Sequence, residues 1–446
     1  MEKINSINQK AWVVAVSMGY GHQRTAYPLK YLATGQKIIN ANDYEGIPKK
    51  DWLLWERIRK FYEFISRFKR VSIIGQASFF IFDQFQKILS FYPKRDLSKP
   101  NFSLKQIFSL IKKGWGKDLI KKLEQKPLPF ITTFFTPAFM AEVFNYPGEI
   151  FCVVCDADIS RSWVFLEPQK SKIKYFAPTS WAAHRLKIYG VKEENIFLTG
   201  YPLPQENLGH PPYGRVPDLE ILKSDLSYRL LNLDPDKIYF RRYKVLIEEY
   251  LGSLPKNSNH PLTIMFSVGG AGVQKEIGIQ IVKSLARTIG ERKIKLILVA
   301  GTREKVKEYF LKNIKKLGLE DTLGKGVEII FAQKIDDYFQ RFNQALRTTD
   351  ILWTKPSELS FYTALGLPII IAPSIGSQED FNRRWLLHLG SGIAQENPKY
   401  VHQWLFDFLE SGRFAEAAMQ GFIEGEKLGT FKIKKIIFNK NSVSPV

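Results

Sequence analysis

Cysteine is almost missing from this chain, which has two, Cys152 and Cys155, in 446 residues. A disulfide framework of the kind that staples small secreted domains is therefore excluded. The pair is spaced C-V-V-C, but it sits in the apolar stretch Ile150 to Cys155, which reads as a buried strand. A redox pair of that spacing opens a helix, whose dipole lowers a thiol pKa. Two small core residues of a reducing compartment are expected instead. Long apolar runs are missing as well. None reaches the roughly 20 residues that span a bilayer. The nearest approach, Val71 to Phe82, is broken by Ser72, Gly75, Gln76 and Ser78 and stopped by Asp83. The first ten residues are mostly polar, and the apolar run after them is too short for a signal-peptide core. The expected location is cytoplasmic, with peripheral contact at the inner face of the membrane left open.

Acidic residues are the third shortage: 44 Asp and Glu stand against 65 Lys and Arg, a net charge of +21. Such a balance favours an anionic partner: nucleic acid, an acidic membrane surface or a phosphorylated substrate. No RRM, KH or zinc-finger spacing is present, so nucleic acid is not expected. What the chain does have is aromatic side chains (14%) and an ordinary hydrophobic share (45%), enough for two or three domains with their own cores.

Short apolar strands alternate with helical patterns, the signature of parallel α/β architecture. Ala11 to Ser17, Pro129 to Phe135, Ile150 to Cys155, Ile173 to Thr179 and "NIFLTGYPL" are strand candidates in the first half, with "WAAHRLKIYG" a helix. "LTIMFSVGG", "IKLILVAG", "VEIIFA", "DILWT" and "LPIIIAP" repeat the rhythm in the second. Pro204 to Pro261, rich in proline, charge and tyrosine, suits a linker with its own helical piece. The expected division is 1–205, with a basic aromatic insertion at about 45–125, then a linker region at 206–260 and a second domain at 261–446. Ligands of open α/β sheets bind beyond the carboxyl ends of the strands.

The loops at those ends carry the informative residues. "SVGGAGVQKE" places Gly269, Gly270 and Gly272 between a strand and an amphipathic helix. Glycines let backbone N–H groups approach a phosphate, and a helix N-terminus adds unpaired donors. No GK[ST] follows, so this is not a P-loop, and the third glycine position of a dinucleotide fingerprint is Lys275. Further on, Lys355-Pro356-Ser357-Glu358 follows one strand and Gln378-Glu379-Asp380-Phe381-Asn382 the next. Carboxylates and amides at strand ends suit vicinal hydroxyls, although capping by Ser357 and Glu358 explains part of the pattern equally well. Near the start, "SMGYGH" puts Gly19, Gly21 and His22 after the first strand.

Together these segments resemble a known family. The second half is similar to the donor domain of two-domain nucleotide-sugar glycosyltransferases of the GT-B fold. The pattern is nearest to the diacylglycerol galactosyl- and glucosyltransferases and the peptidoglycan N-acetylglucosaminyltransferase. "WTKPSE…ALGLPIII…GSQEDFN" follows the glycolipid branch's TK-P-G…SE…GLP…GQE-x-x-N pattern. "SMGYGHQRTA" matches its G-x-GH-x-x-A loop with one extra residue, and "FCVVCDADISRSW" its strand ending in Asp. Two departures stand out. Ser357 follows Pro356 directly, and Phe361 falls where relatives carry a ribose-binding Glu; Glu358 lies nearly one helical turn earlier.

The resemblance implies two Rossmann-like doubly wound domains facing across a cleft. It implies a metal-independent, inverting hexosyltransferase that needs no cofactor and uses a nucleotide diphosphate sugar, UDP-linked hexose being the leading choice. His22 or Asp156 would deprotonate the acceptor, which Gly19, Gly21 and Asp158 would face. Gly269, Gly270, Gly272, Glu358, Gln378, Glu379 and Asn382 would hold the donor. Asp156 and Asp158 spell the D-x-D that chelates a metal in a different glycosyltransferase fold, but no metal is expected here. A lipid or glycan acceptor fits the insertion, where Trp52, Trp55, Ile58, Phe61, Tyr62, Ile65 and Phe68 recur at helical spacing among Arg57, Arg59, Lys60, Arg67, Lys69 and Arg70. Basic amphipathic helices of this kind suit an anionic bilayer surface; a solvated basic face is the plain alternative. A sugar-nucleotide epimerase of the same fold and a non-catalytic basic membrane- or nucleic-acid-binding protein are the competing readings.

Overall fold

The computed structural model describes residues 9–68, 88–209, 218–267, 269, 272, 274–374 and 376–439, with backbone alone for 61–68 and 377. Gly270 and the apolar run at 71–82 lie outside the described residues. The chain divides into two compact units. The first takes the described residues of Met1–Leu203, Ile375–Asn382 and Leu428–Val446; the second takes those of Pro204–Ser374 and Arg383–Lys427.

The first unit is built on six parallel strands: β1 (Trp12–Ala15), β2 (Ile39–Asn40), β3 (Phe130–Thr132), β4 (Ile150–Val153), β5 (Lys174–Ala177) and β6 (Ile196–Leu198). Their order is β2-β1-β3-β4-β5-β6. Helices cover both faces of such sheets, so the strands read as apolar runs rather than alternating ones. β4 is buried at every position. Val13, Ala15, Ile131, Phe151, Val153, Phe176 and Phe197 pack with Leu29, Leu32, Ile433 and Ile437 into one core. The last two come from the helix Gly429–Phe438, so the end of the chain completes the core that its beginning starts.

The second unit repeats the plan with β7 (Leu262–Ser267), β8 (Ile294–Gly301), β9 (Val327–Phe331), β10 (Ile351–Thr354), β11 (Ile369–Ile371) and β12 (Gly392–Ala394), in the order β12-β11-β10-β7-β8-β9. Two doubly wound parallel sheets of this kind are the α/β architecture of the GT-B class. The strand order reverses between β1 and β3 in the first sheet and between β7 and β10 in the second. At such reversals neighbouring strands lead to helices on opposite faces, which opens a crevice at their carboxyl ends.

Several local expectations differ from what is observed. The region at 206–260, expected as a linker with its own helical piece, carries two helices among its described residues, Glu220–Leu233 and Ile238–Leu251, and both fall in the second unit. The buried Arg229 guanidinium binds the carbonyls of Leu346, Thr349, Leu365 and Gly366 there. The apolar stretch ending at Cys155 leaves the sheet at Val153, which puts Cys155 in the strand-end loop. After Ser357 the chain forms a 3-10 helix, Glu358–Leu365. β2 and β12, of two and three residues, were too short to show a period.

Candidate functional site

In the first unit the site forms at the β1/β3 reversal. Gly19 leads out of β1 with φ 116° and ψ −179°, a conformation that favours glycine, and a Cβ there would meet nothing within 4 Å. The helix Tyr20–Ala26 follows, carrying His22 in its first turn. His22 Nδ1 lies 2.8 Å from the Thr133 carbonyl, just past β3, and Thr133 Oγ1 donates back to the His22 carbonyl at 2.8 Å. A carbonyl only accepts, so Nδ1 carries the proton and Nε2 keeps its lone pair. The ring packs on Phe134, with centroids 4.6 Å apart, and near Trp163 at 6.2 Å. Burial lowers the imidazole pKa to about 4, against the smaller upward pull of the Thr133 carbonyl. At neutral pH His22 is an uncharged acceptor at Nε2, the form a general base requires.

Asp156 follows β4, close to His22 through one intervening thiol. Cys155 Sγ lies 3.3 Å from His22 Nδ1 and 3.9 Å from Asp156 Oδ2. Asp156 Oδ1 accepts from Asn382 Nδ2 at 3.0 Å, and the Ala157 N–H donates to Asn382 Oδ1 at 2.7 Å. Asp158, two residues on, is placed differently. It is fully buried and bidentate to the equally buried Arg185, at 2.9 and 2.6 Å. The two carboxylates of D-A-D thus have separate partners. Among the described residues no three His, Cys, Asp or Glu side chains group as a metal would need.

An aromatic wall runs from His22 toward the insertion. Phe134 contacts Phe135 at 4.4 Å and Trp163 at 6.2 Å, and Trp55 lies 6.5 Å from Phe134 and 4.6 Å from Trp115. Trp55 is on the helix Lys49–Phe68, whose opening turn leaves Trp52 and Leu53 about 40% exposed beside the exposed Lys49, Lys50 and Arg57. Asp51 anchors that turn by accepting from the Gly116 N–H at 3.0 Å.

In the second unit the β7/β10 reversal is lined by glycine and cations. The Gly272 N–H donates to the Gly269 carbonyl at 2.7 Å, closing a tight turn, and Gly272 has φ 67°. A Cβ on Gly269 would overlap Lys355 Cε and lie 3.4 Å from the ammonium nitrogen. A Cβ on Gly272 would lie 3.4 Å from Arg303 Cδ. Lys355 follows β10 and Arg303 follows β8, so three strand ends supply one glycine-floored, cationic turn. Gly278, on the helix Lys275–Ser284, does the close packing that a fingerprint's third glycine does: a Cβ there would sit 2.9 Å from Phe266 of β7. Arg303 and Gly278 were not singled out from the sequence; Lys355 was noted there as the start of the Lys355–Glu358 loop and in the family pattern, but was given no role.

Glu358 is half-buried on the loop that Lys355 starts. Phe361 is core, packed on Trp385 with centroids 5.1 Å apart. Gln378 and Glu379 are half-buried at the start of the helix Ser377–His388, in the part that belongs to the first unit with Asn382. The predicted donor set is therefore split, with Gly269, Gly272 and Glu358 in the second unit. His22 and Asp156 are brought together; Asp158 is turned into the core.

A family model described as a domain of unknown function (DUF6938) matches residues 255–325. A comparison with curated proteins finds no match. Among solved structures the chain is similar to Staphylococcus aureus MnaA in complex with UDP, at 13% identity over 98% of this chain and 99% of that one, with a TM-score of 0.47. It is similar to a glycosyltransferase from Rickettsia africae, at 15% identity over 98% and 100%, with a TM-score of 0.42. It is also similar to Anabaena HepE in complex with UDP, at 15% identity over 77% and 84%, with a TM-score of 0.41.

Proposed function

We propose that this protein is an inverting glycosyltransferase that moves a hexose from a UDP-sugar to a hydroxyl of a lipid or other membrane-surface acceptor. The observation that carries the reading is His22. Its Nδ1 proton is committed to the Thr133 carbonyl, so Nε2 is held as the acceptor at a strand-order reversal. In the reaction Nε2 takes the acceptor hydroxyl proton while that oxygen attacks the anomeric carbon. The bond from that carbon to the diphosphate breaks in the same step, with inversion. Charge developing on the departing diphosphate would meet the Gly269–Gly272 turn, Lys355 and Arg303. Glu358 is the ribose candidate, on the same loop as Lys355.

The aromatic wall beside His22 supports an acceptor with an apolar portion. Exposed Trp52 and Leu53 beside Lys49, Lys50 and Arg57 support docking on an anionic bilayer surface. Among the described residues no helix is long and apolar enough to cross a membrane.

The test is calorimetric titration with UDP, GDP, ADP and CMP on the wild type and on Lys355→Ala, followed by UDP-hexose with acceptor lipid in vesicles. Uridine-selective binding weakened by the substitution, then a glycosylated lipid, is the expected result. No nucleotide binding would overturn the donor-site assignment. Conversion of the UDP-sugar to an epimer without acceptor would replace transfer with epimerisation.

A further inference from the structure

Asn382 is fully buried in the first unit, and both ends of its amide are engaged there. A backbone N–H can only donate, so the Ala157 contact at 2.7 Å fixes the amide oxygen on that side. The NH2 must then face Asp156 Oδ1, 3.0 Å away. One neutral side chain thus holds a backbone N–H and the adjacent carboxylate in a single arrangement at the end of β4. It leaves no exposed surface with which to grip a sugar hydroxyl.

We infer that Asn382 is a positioning residue for Asp156, holding its carboxylate in one orientation beside the Cys155 thiol that touches His22, and is not a ligand of the donor sugar. The inference rests on the reading of His22 and Asp156 as the reaction centre. His22 becomes an imidazolium when it takes a proton, in surroundings that disfavour the charged form. A carboxylate fixed nearby offsets that charge without having to reorganise. A carboxylate free to rotate would do so only part of the time.

Two measurements on the full chain test this. In protein labelled with 15N-asparagine, the Asn382 side-chain NH2 should exchange with water at least about tenfold more slowly than exposed asparagine amides, and its resonance should move in Asp156→Ala. Exchange at the exposed rate, or a resonance indifferent to Asp156→Ala, overturns the hydrogen bond. In the transfer assay Asn382→Ala should lower kcat about tenfold or more with KM for the UDP-sugar within about twofold. Asn382→Asp should be worse still, because it sets a second carboxylate against the first. A sugar ligand would behave in the opposite way: Ala would raise KM, and Asp, a good acceptor for hydroxyls, would retain activity. A wild type that releases no nucleotide from any hexose donor overturns the reaction-centre reading, and the amide resonance still decides whether Asn382 holds Asp156.

Discussion

The two strand-order reversals make the same opening in a sheet and fill it with opposite chemistry. At β1/β3 the strand ends present an uncharged imidazole against Phe134 and Trp163, with its proton tied to a backbone carbonyl. At β7/β10 they present glycine backbone with Lys355 and Arg303 over it. A desolvated imidazole stays uncharged at neutral pH, with Nε2 unprotonated; at the other reversal Gly269 and Gly272 have no Cβ, and Lys355 packs where a Cβ on Gly269 would sit. Topology supplies the crevice in both, and the residue types in the loops give each its own chemistry.

The comparison breaks most sharply at His22. His22→Ala should lower transfer roughly 10²–10⁴-fold while leaving UDP affinity within about twofold. A loss of UDP binding in that variant would mean that the two reversals do not divide the work. Next in size is Gly269→Val, whose side chain would overlap Lys355; nucleotide binding should fall at least about a hundredfold while His22 keeps its tautomer, read from its 15N shifts. Lys355→Ala removes a single charged contact and should weaken UDP binding about tenfold.

A pH series sharpens the contrast further. In the proposed reaction the working form of His22 is neutral, and its pKa is lowered to about 4, so activity should stay level from pH 8 to about 5 and fall only towards pH 4. An ordinary histidine base would instead lose activity through about pH 6.5. The same shift affects stability with a definite sign. Between about pH 6.5 and 4 the unfolded chain binds the proton and the folded one does not, so stability declines as pH falls through that window and is unaffected above it. Denaturant midpoints for the wild type and His22→Gln separate the two effects, since the glutamine variant lacks this slope. The smallest effect is expected at Trp115, whose buried indole N–H has no hydrogen-bond partner among the described residues. Trp115→Phe should change stability by less than about 1 kcal/mol, because the lost ring area is offset by relief of an unsatisfied donor.

Much of this fold was legible along the chain because parallel strands buried on both faces read as apolar runs, and ten of the twelve were visible that way. β2 and β12 were not, since two or three residues carry no period. The two site loops were legible for another reason: glycines and a histidine directly after a strand narrow what the backbone there can do. Asn382 shows where such reading stops. In sequence it is an amide in a polar loop, well suited to a hydroxyl; in the fold it lies 226 positions from its partner Asp156, fully buried. Phe361 is similar, because whether a position at a strand end faces a ligand or the core depends on what packs against it, here Trp385.

By itself, then, the sequence determined the alternation of strands and helices, the two-sheet plan and the glycine turns, because these follow from local periodicity and backbone freedom. Tertiary structure alone decided which nitrogen of His22 holds the proton, that Asp156 and Asp158 part company, and that Lys355 lies over Gly269. Each of those rests on contacts between segments far apart in the chain, and residue spacing carries no record of which strand ends will meet.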